Sequence, residues 1–401
     1  MSFPSNFRGR QANFSSPSIL YFIPKKSQLL RVPSPEMVET VFAGVPMTFL
    51  SPTLELFRFY SRNLDFKMKR YTGTRGWFLF YFFACLLVLS AGRDPKLMKY
   101  ETNSSSVYNH TLAMIMVEYA SAVYISDMTS LFTWTCTRCR GLTEGFEVVQ
   151  LIVDVESCLQ HTELDRRLVL EAAGFRLSWN GRCKGVHSGF YRAYHCTTIR
   201  PAILNAVKTA KEVYGDLDTI VTGHSMGGAI AAFCALDLIV NHNVPNVQVM
   251  TFGQPRIGNA VFASYYSKHL PDTIRVTHEH DIVPHLPPYF SIIPRKTYHH
   301  FPREVWLQDT SSTSNRLASY IETVCDDSGE DPNCSRSVIG NSIQDHLSYY
   351  GVEFPTDDPA TCWIVMDPVI AEYGSIDSKG NVVLFRDLAT PVPRMQSLEA
   401  K

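Results

Sequence analysis

TIVTGHSMGGAIAAF, residues 219–233, contains G-x-S-x-G at Gly223-His224-Ser225-Met226-Gly227. That pattern carries chemistry only where a strand turns into a helix so sharply that the serine stands clear of both. The flanks meet the condition. Thr219-Ile220-Val221-Thr222 is a β-branched run suited to a buried parallel strand. Downstream, Ile230, Phe233, Ala235, Leu238 and Val240 recur at spacings that predict a buried helix. Gly223, Gly227 and Gly228 remove the Cβ atoms that would hold strand and helix apart. Ser225 is therefore the candidate nucleophile. The Met226 backbone N–H, at the start of the helix, is a candidate oxyanion donor.

Strands and helices alternate on either side of this turn. Residues 146–155 carry VVQLIVDV, a strand candidate, and residues 107–125 suit a long helix with a broad apolar face. Ile199, Ile203, Val207, Ala210 and Val213 mark an amphipathic helix over 199–214. Residues 247–253 and 273–277 read as strands, and 260–269 as a helix. The alternation through 146–278 predicts an α/β domain with a central, mostly parallel sheet flanked by helices. The domain is expected over 100–386, with a loose polar tail over 387–401.

With 401 residues, 45% of them hydrophobic, the chain can bury a sizeable core. A formal charge of −1 and the lack of a basic stripe interleaved with aromatics argue against nucleic acid as a partner. Ten cysteines are many for a protein kept reduced in the cytosol. Cys136 and Cys139 form a C-x-x-C with no second pair at zinc spacing, and Cys325 and Cys334 bracket a polar loop that a disulfide could close. Asn103-Ser104-Ser105, Asn109-His110-Thr111 and Asn333-Cys334-Ser335 are glycosylation sequons. Cysteines and sequons agree on an oxidising, secretory route.

Residues 76–92, GWFLFYFFACLLVLSAG, are uncharged and number 17, short of the ~20 needed to span a bilayer. Read from Met68, the order is basic (Lys69, Arg70, Arg75), apolar, then small (Ser90-Ala91-Gly92), the order of a secretory signal. Residues 68–92 are thus a signal peptide or a membrane anchor. Residues 1–67 read as a disordered extension, rich in Ser and Pro and without an acid before Glu36. A start at Met68, an uncleaved anchor and a targeting extension are the three readings of this end. The first is preferred.

A serine nucleophile needs a histidine base, and the base needs a carboxylate that fixes its tautomer. After such an elbow the acid and then the base follow on loops beyond later strands. Asp281 directly follows the strand candidate TIRVTHEH, with Glu279 as its neighbouring alternative. His285, His299, His300 and His346 are candidates for the base. His299 and His300 fall in the strand candidate TYHHFPREVW, and the residues alone leave the choice open.

VHSGFYRAY, IVTGHSMGGAIAAFCALDL, VMTFGQPRIGN, RVTHEHDIVPHLPP, YHHFPREVW and QDHLSYYG occur in this order over about 186–351. Together they resemble the class 3 lipases, the fungal-type triacylglycerol lipases of the α/β-hydrolase superfamily, and their plant members in particular. Weaker similarity reaches back to Cys136. The resemblance implies Ser225 as nucleophile, Asp281 as acid, His346 as base and Met226 as one oxyanion donor. It implies an acyl-ester lipid substrate, action at a membrane or lipid-droplet surface, and no metal or cofactor. The apolar PPYFSIIP after the acid would line or rim an acyl groove.

One departure stands out. The family carries, before its HSGF segment, a strand ending in R-G-T or R-G-S, whose Thr or Ser gives the second oxyanion hydrogen bond, followed by a lid. Residues 161–186 hold no such turn, no N-W lid signature and no clear β-branched run. The expectation is a sheet lacking the oxyanion-loop strand, with a half-built oxyanion hole and no lid. Three functions follow as alternatives: an acylglycerol ester hydrolase; a catalytically impaired lipase-like protein that binds lipid or membrane; and an esterase or phospholipase on the same scaffold.

Overall fold

A computed structural model describes residues 18–22, 37–41, 108–154, 185–289, 297–310, 320–354, 366–377 and 381–386. The chain divides into two compact units, residues 1–47 with 102–401 and residues 48–101. The second unit, which contains the apolar segment 76–92, lies outside the described residues, as do the interval 161–184 and the tail 387–401. No helix among the described residues is long and apolar enough to cross a membrane.

Twelve strands are described, ten of them in one sheet. They are β1 (Ser18–Phe22), β2 (Met37–Val41), β3 (Val148–Val153), β4 (Asp218–His224), β5 (Val247–Phe252), β6 (Thr273–His278), β7 (Glu304–Asp309), β8 (Tyr320–Val324), β9 (Ser348–Tyr349), β10 (Val352–Glu353), β11 (Gly374–Ile376) and β12 (Val382–Phe385). The large sheet runs β11-β12-β3-β1-β2-β4-β5-β6-β7-β8, and β9 and β10 form a separate hairpin. Strands β2, β4, β5, β6 and β7 are mutually parallel. The flanks are antiparallel, β1, β3, β12 and β11 on one side and β8 on the other. The sheet is therefore mixed, with a parallel centre.

The helices are α1 (His110–Ala122), α2 (Met128–Phe132), α3 (Ser188–His195), α4 (Ile199–Tyr214), α5 (Met226–His242) and α6 (Ala260–His269). Side-chain caps set four of their starts: Asn109 accepts from Leu112 N, Asp127 from Thr129 N and Ser130 N, His187 from Phe190 N, and Asn259 from Phe262 N. Helix α5 is apolar on nearly every side and packs on β4, β5, α3 and α6, while α1 also covers β4 and β5. Every residue of β4 after Asp218 is buried, as a central parallel strand covered on both faces must be.

Two features depart from the sequence reading. His299 and His300 do not lie in a strand. The regular ladder begins at Glu304, after Pro302, which has no N–H to give, and Arg303, whose φ is 65°. The second departure concerns the elbow strand, which has partners on both sides. Its neighbour toward β3 is β2, in parallel register from Met37↔Asp218 to Val41↔Thr222. The segment read as a disordered extension thus contributes two strands, one of them beside the elbow strand, while residues 161–184, on which the missing oxyanion-loop strand was expected, lie outside the described residues.

A chain begun at Met68 lacks β1 and β2. The β4 amides that point toward β2 should then exchange with solvent far faster than in the full chain, because their acceptors are gone. Hydrogen exchange across β4 in the two chains measures this. Equal protection would mean that β4 does not depend on its N-terminal neighbour.

Candidate active site

Ser225 joins β4 to α5 with φ 57° and ψ −128°, a conformation that L side chains avoid and that only a surrounding constraint maintains. The constraint is close backbone packing. A Cβ on Gly223 would lie 2.6 Å from the carbonyl carbon and oxygen of Gly227 and 2.9 Å from Gly228 N. The turn is tied to the sheet by Ser225 N donating to Phe252 O at 2.9 Å. Met226 opens α5, so its N–H is among the first-turn donors that lack an acceptor within the helix.

Asp281 follows β6 and is 1% exposed; His346, in the 3-10 turn Asp345–Leu347, is fully buried. The structure brings the two together, with His346 Nδ1 2.8 Å from Asp281 Oδ2. The same Oδ2 accepts the Tyr349 hydroxyl at 2.5 Å, and Oδ1 accepts Val283 N at 2.8 Å. Three donors are thus aimed at the carboxylate, which as an acceptor orients the His346 ring with its proton on Nδ1. His346 Nε2 and Ser225 Oγ are both buried, and neither has a hydrogen-bond partner among the described residues. The candidate nucleophile oxygen and the candidate base nitrogen are therefore both uncommitted at the same end of the sheet.

The alternatives separate by geometry. Glu279 turns its carboxylate to Asp309 N. His285 reaches the backbone oxygens of Asp281, Ser335 and Val338, and His300 reaches Pro284 O. His299 contacts Thr297 Oγ1. Each of these works on loop structure rather than on the Asp281 carboxylate.

Four contributors were not singled out from sequence. Gly253 has φ 58°, and a Cβ there would stand 2.8 Å from His346 Nδ1 and 2.9 Å from Asp281 Oδ2. It is the gap through which acid and base meet. Tyr349, three residues after His346, holds the acid. His224 holds the base loop: its Nε2 faces the His346 carbonyl at 2.8 Å, so it must carry the proton there, and Nδ1 accepts the Tyr124 hydroxyl at 2.7 Å. Its ring stacks on Phe354, with centroids 3.8 Å apart. The signal for His224 was adjacency to the nucleophile. Tyr124 and Tyr349 had none beyond their type.

Burial holds His224 and His300 well below the ordinary histidine value of 6.5, so both stay neutral. The unfolded chain takes up their protons below pH 6.5 and the folded chain does not. Stability is thus fully present above 6.5 and falls as pH drops beneath it, by up to about 1.4 kcal/mol per pH unit for each ring. His278 has the opposite sign, but its raised value leaves its contribution constant below 6.5. Denaturant unfolding between about pH 6.5 and pH 5 should show this slope, and His300→Gln should roughly halve it. A flat profile would mean that these rings charge in the folded state.

The model of a family described as lipase (class 3) matches residues 147–291. The chain is 29% identical over 243 residues to a lipase of Rhizomucor miehei, covering 55% of this chain and 62% of that one. It is 34% identical over 166 residues to a secreted mono- and diacylglycerol lipase of Fusarium solani, covering 41% and 46%. Among solved structures it is similar to the native Rhizomucor miehei lipase propeptide complex, with 24% identity, a TM-score of 0.49, and coverage of 66% of this chain and 91% of that one.

Proposed function

We propose, from the premise that this chain belongs to the class 3 lipase family, that it is a serine hydrolase of acylglycerol esters. The observation that carries the reading is the Asp281–His346 pair at 2.8 Å, with Ser225 Oγ and His346 Nε2 both buried and without a hydrogen-bond partner among the described residues. His346 Nε2 takes the Ser225 proton as Oγ attacks the ester carbonyl. The oxyanion forms beside the Met226 N–H and the start of α5. His346 then returns the proton to the departing alcohol, leaving an acyl-serine. Water, deprotonated by the same nitrogen, releases the acid and restores Ser225. Asp281 stays ionised throughout and stabilises the imidazolium. The chemistry requires no metal or cofactor.

The hydrolase domain is assigned to 100–386, joined by the strands from 18–41. The route is secretory, with 68–92 as signal or anchor, and the substrate is met at a lipid surface. Two disulfides, Cys136–Cys139 and Cys325–Cys334, support an oxidising compartment. Asn109 and Asn333 are exposed sequon positions, and Asn109 caps α1 through Oδ1, which leaves Nδ2 for a glycan. The second reading, an impaired lipase-like protein, is favoured by one observation: 161–186 contains no R-G-T or R-G-S turn for a second oxyanion donor. Losing one such donor costs about a hundred- to a thousand-fold in turnover.

Ser225→Ala should abolish both fluorophosphonate labelling and hydrolysis of short-chain acylglycerols. Labelling that persists in the variant would remove Ser225 from the nucleophile's role. Wild-type labelling without turnover would instead select the impaired reading.

A further inference from the structure

His278 ends β6, three residues before Asp281, and its side chain is 4% exposed. Its ring lies between two oxygens. Nδ1 is 3.0 Å from the backbone carbonyl of Asp345, and Nε2 is 3.0 Å from Oδ1 of Asp309 at the end of β7. A carbonyl oxygen only accepts, and so does an ionised carboxylate. A neutral imidazole has one N–H and can satisfy one of them. Only the imidazolium satisfies both.

What the ring holds gives this its weight. Asp345 immediately precedes His346, and the carbonyl bound by His278 is in the peptide link between them. The Asp345 carboxylate is bound from the other side by His280 N at 3.0 Å. His278 and His224 therefore grip successive carbonyls of one short turn, at residues 345 and 346. His224 is neutral and does this with a single proton. His278 needs two.

The charged groups around the ring favour the second proton. Asp309 faces it from β7 and Asp345 from the 3-10 turn. On its own loop, Glu279 binds Asp309 N, and His280 lies 3.7 Å from Glu279. Tyr320 of β8 and Tyr349 of β9 present rings with centroids at 6.0 and 5.6 Å. Burial opposes the charge, but the bonds and charges of Asp309 and Asp345 outweigh it, and the pKa of His278 is raised.

We propose that His278 is a positioning residue for the base, an imidazolium clamp between Asp309 and the Asp345 carbonyl that fixes the turn carrying His346. The proposal rests on the serine-hydrolase reading. When the clamp loses a proton, the remaining N–H stays with Asp309, because an ionised acceptor binds more strongly than a neutral one. The bare Nδ1 then faces the Asp345 oxygen at 3.0 Å, lone pair against lone pair. Deprotonation is thus felt at the base loop rather than at the sheet. The sign follows: the clamp is closed below its raised pKa and opens as pH rises through it.

Nitrogen NMR of the ring-labelled full chain tests the protonation without reference to turnover. At about pH 5.5, a unit below the ordinary histidine value, both His278 nitrogens should be protonated, while His224 shows one protonated and one bare nitrogen. On raising the pH, the backbone amides of Asp345 and His346 should shift in step with the His278 ring. A His278 ring that is neutral at about pH 5.5, or base-loop amides that ignore its titration, overturns the proposal. Kinetics supply the second arm. His278→Gln should lower kcat about tenfold at neutral pH with KM unchanged, the scale of one lost charge-assisted hydrogen bond, and should remove the alkaline limb of the kcat profile. Asp309 is half exposed, so Asp309→Asn leaves the fold intact and should move that limb to lower pH. A limb that stays in place in Asp309→Asn also overturns the clamp. If the wild-type chain neither labels with fluorophosphonate nor hydrolyses any ester, the hydrolase reading has failed, and the NMR arm alone decides the clamp.

Discussion

Everything at this site is referred to the turn at Ser225, where a side chain is held at φ 57° by backbone packed against backbone. The turn costs free energy locally and survives because β4 and α5 cannot separate. Every residue of β4 past Asp218 is buried, and α5 is buried along most of its length. From this strained position the serine stands at the carboxyl edge of the sheet while its own N–H stays bonded to Phe252 O. The other parts of the site are arranged so that a second and a third segment reach this edge.

Those segments arrive by separate routes. The acid comes directly from the end of β6, and the base comes from a 3-10 turn well beyond the last parallel strand. Gly253, at the end of β5, is the common tolerance: with no side chain there, Asp281 and His346 can close to 2.8 Å. The base turn is a single short 3-10 turn outside the large sheet. It is held instead by rings that bond to its carbonyls, His224 from the elbow strand and His278 from the acid strand. The strands that lead to Ser225 and Asp281 thus also hold the turn of His346, so the three candidate groups form one mechanical unit although they span 122 residues of sequence from Ser225 to His346.

The parallel centre was legible because its signal is local. β-branched runs with helix periodicity between them give β4, β5, β6, α4 and α6 within a residue or two of their bounds. The elbow was legible because its glycines have one physical use. The acid could be placed by its position after a strand. The base could not be chosen from composition: four late histidines look alike in sequence and differ only in which oxygens they meet once folded. Tyr349, Gly253 and His278 were silent for the same reason. Each acts through one or two contacts with residues far along the chain, and nothing in its own neighbourhood announces them. The strand expected through YHHFPREVW began late because Pro302 and the left-handed Arg303 delay the ladder to Glu304.

The place beside the elbow strand shows what the sheet requires of a neighbour. An unpaired β4 edge would leave buried N–H and C=O groups without partners, which is costly whatever the origin of the segment that could cover it. The ladder reads backbone, not ancestry. MVETV at 37–41 alternates β-branched residues and supplies five partners in parallel register, the last opposite Thr222, three residues before the nucleophile. A parallel neighbour also runs toward the edge that carries Ser225, whereas an antiparallel one would run away from it. Strand β1, antiparallel to both β2 and β3, then reconciles the parallel centre with the antiparallel flank. Support for the elbow and donation to the oxyanion are therefore separable demands. The first is met by any strand of this register and direction, and the second depends on which residue emerges at its end.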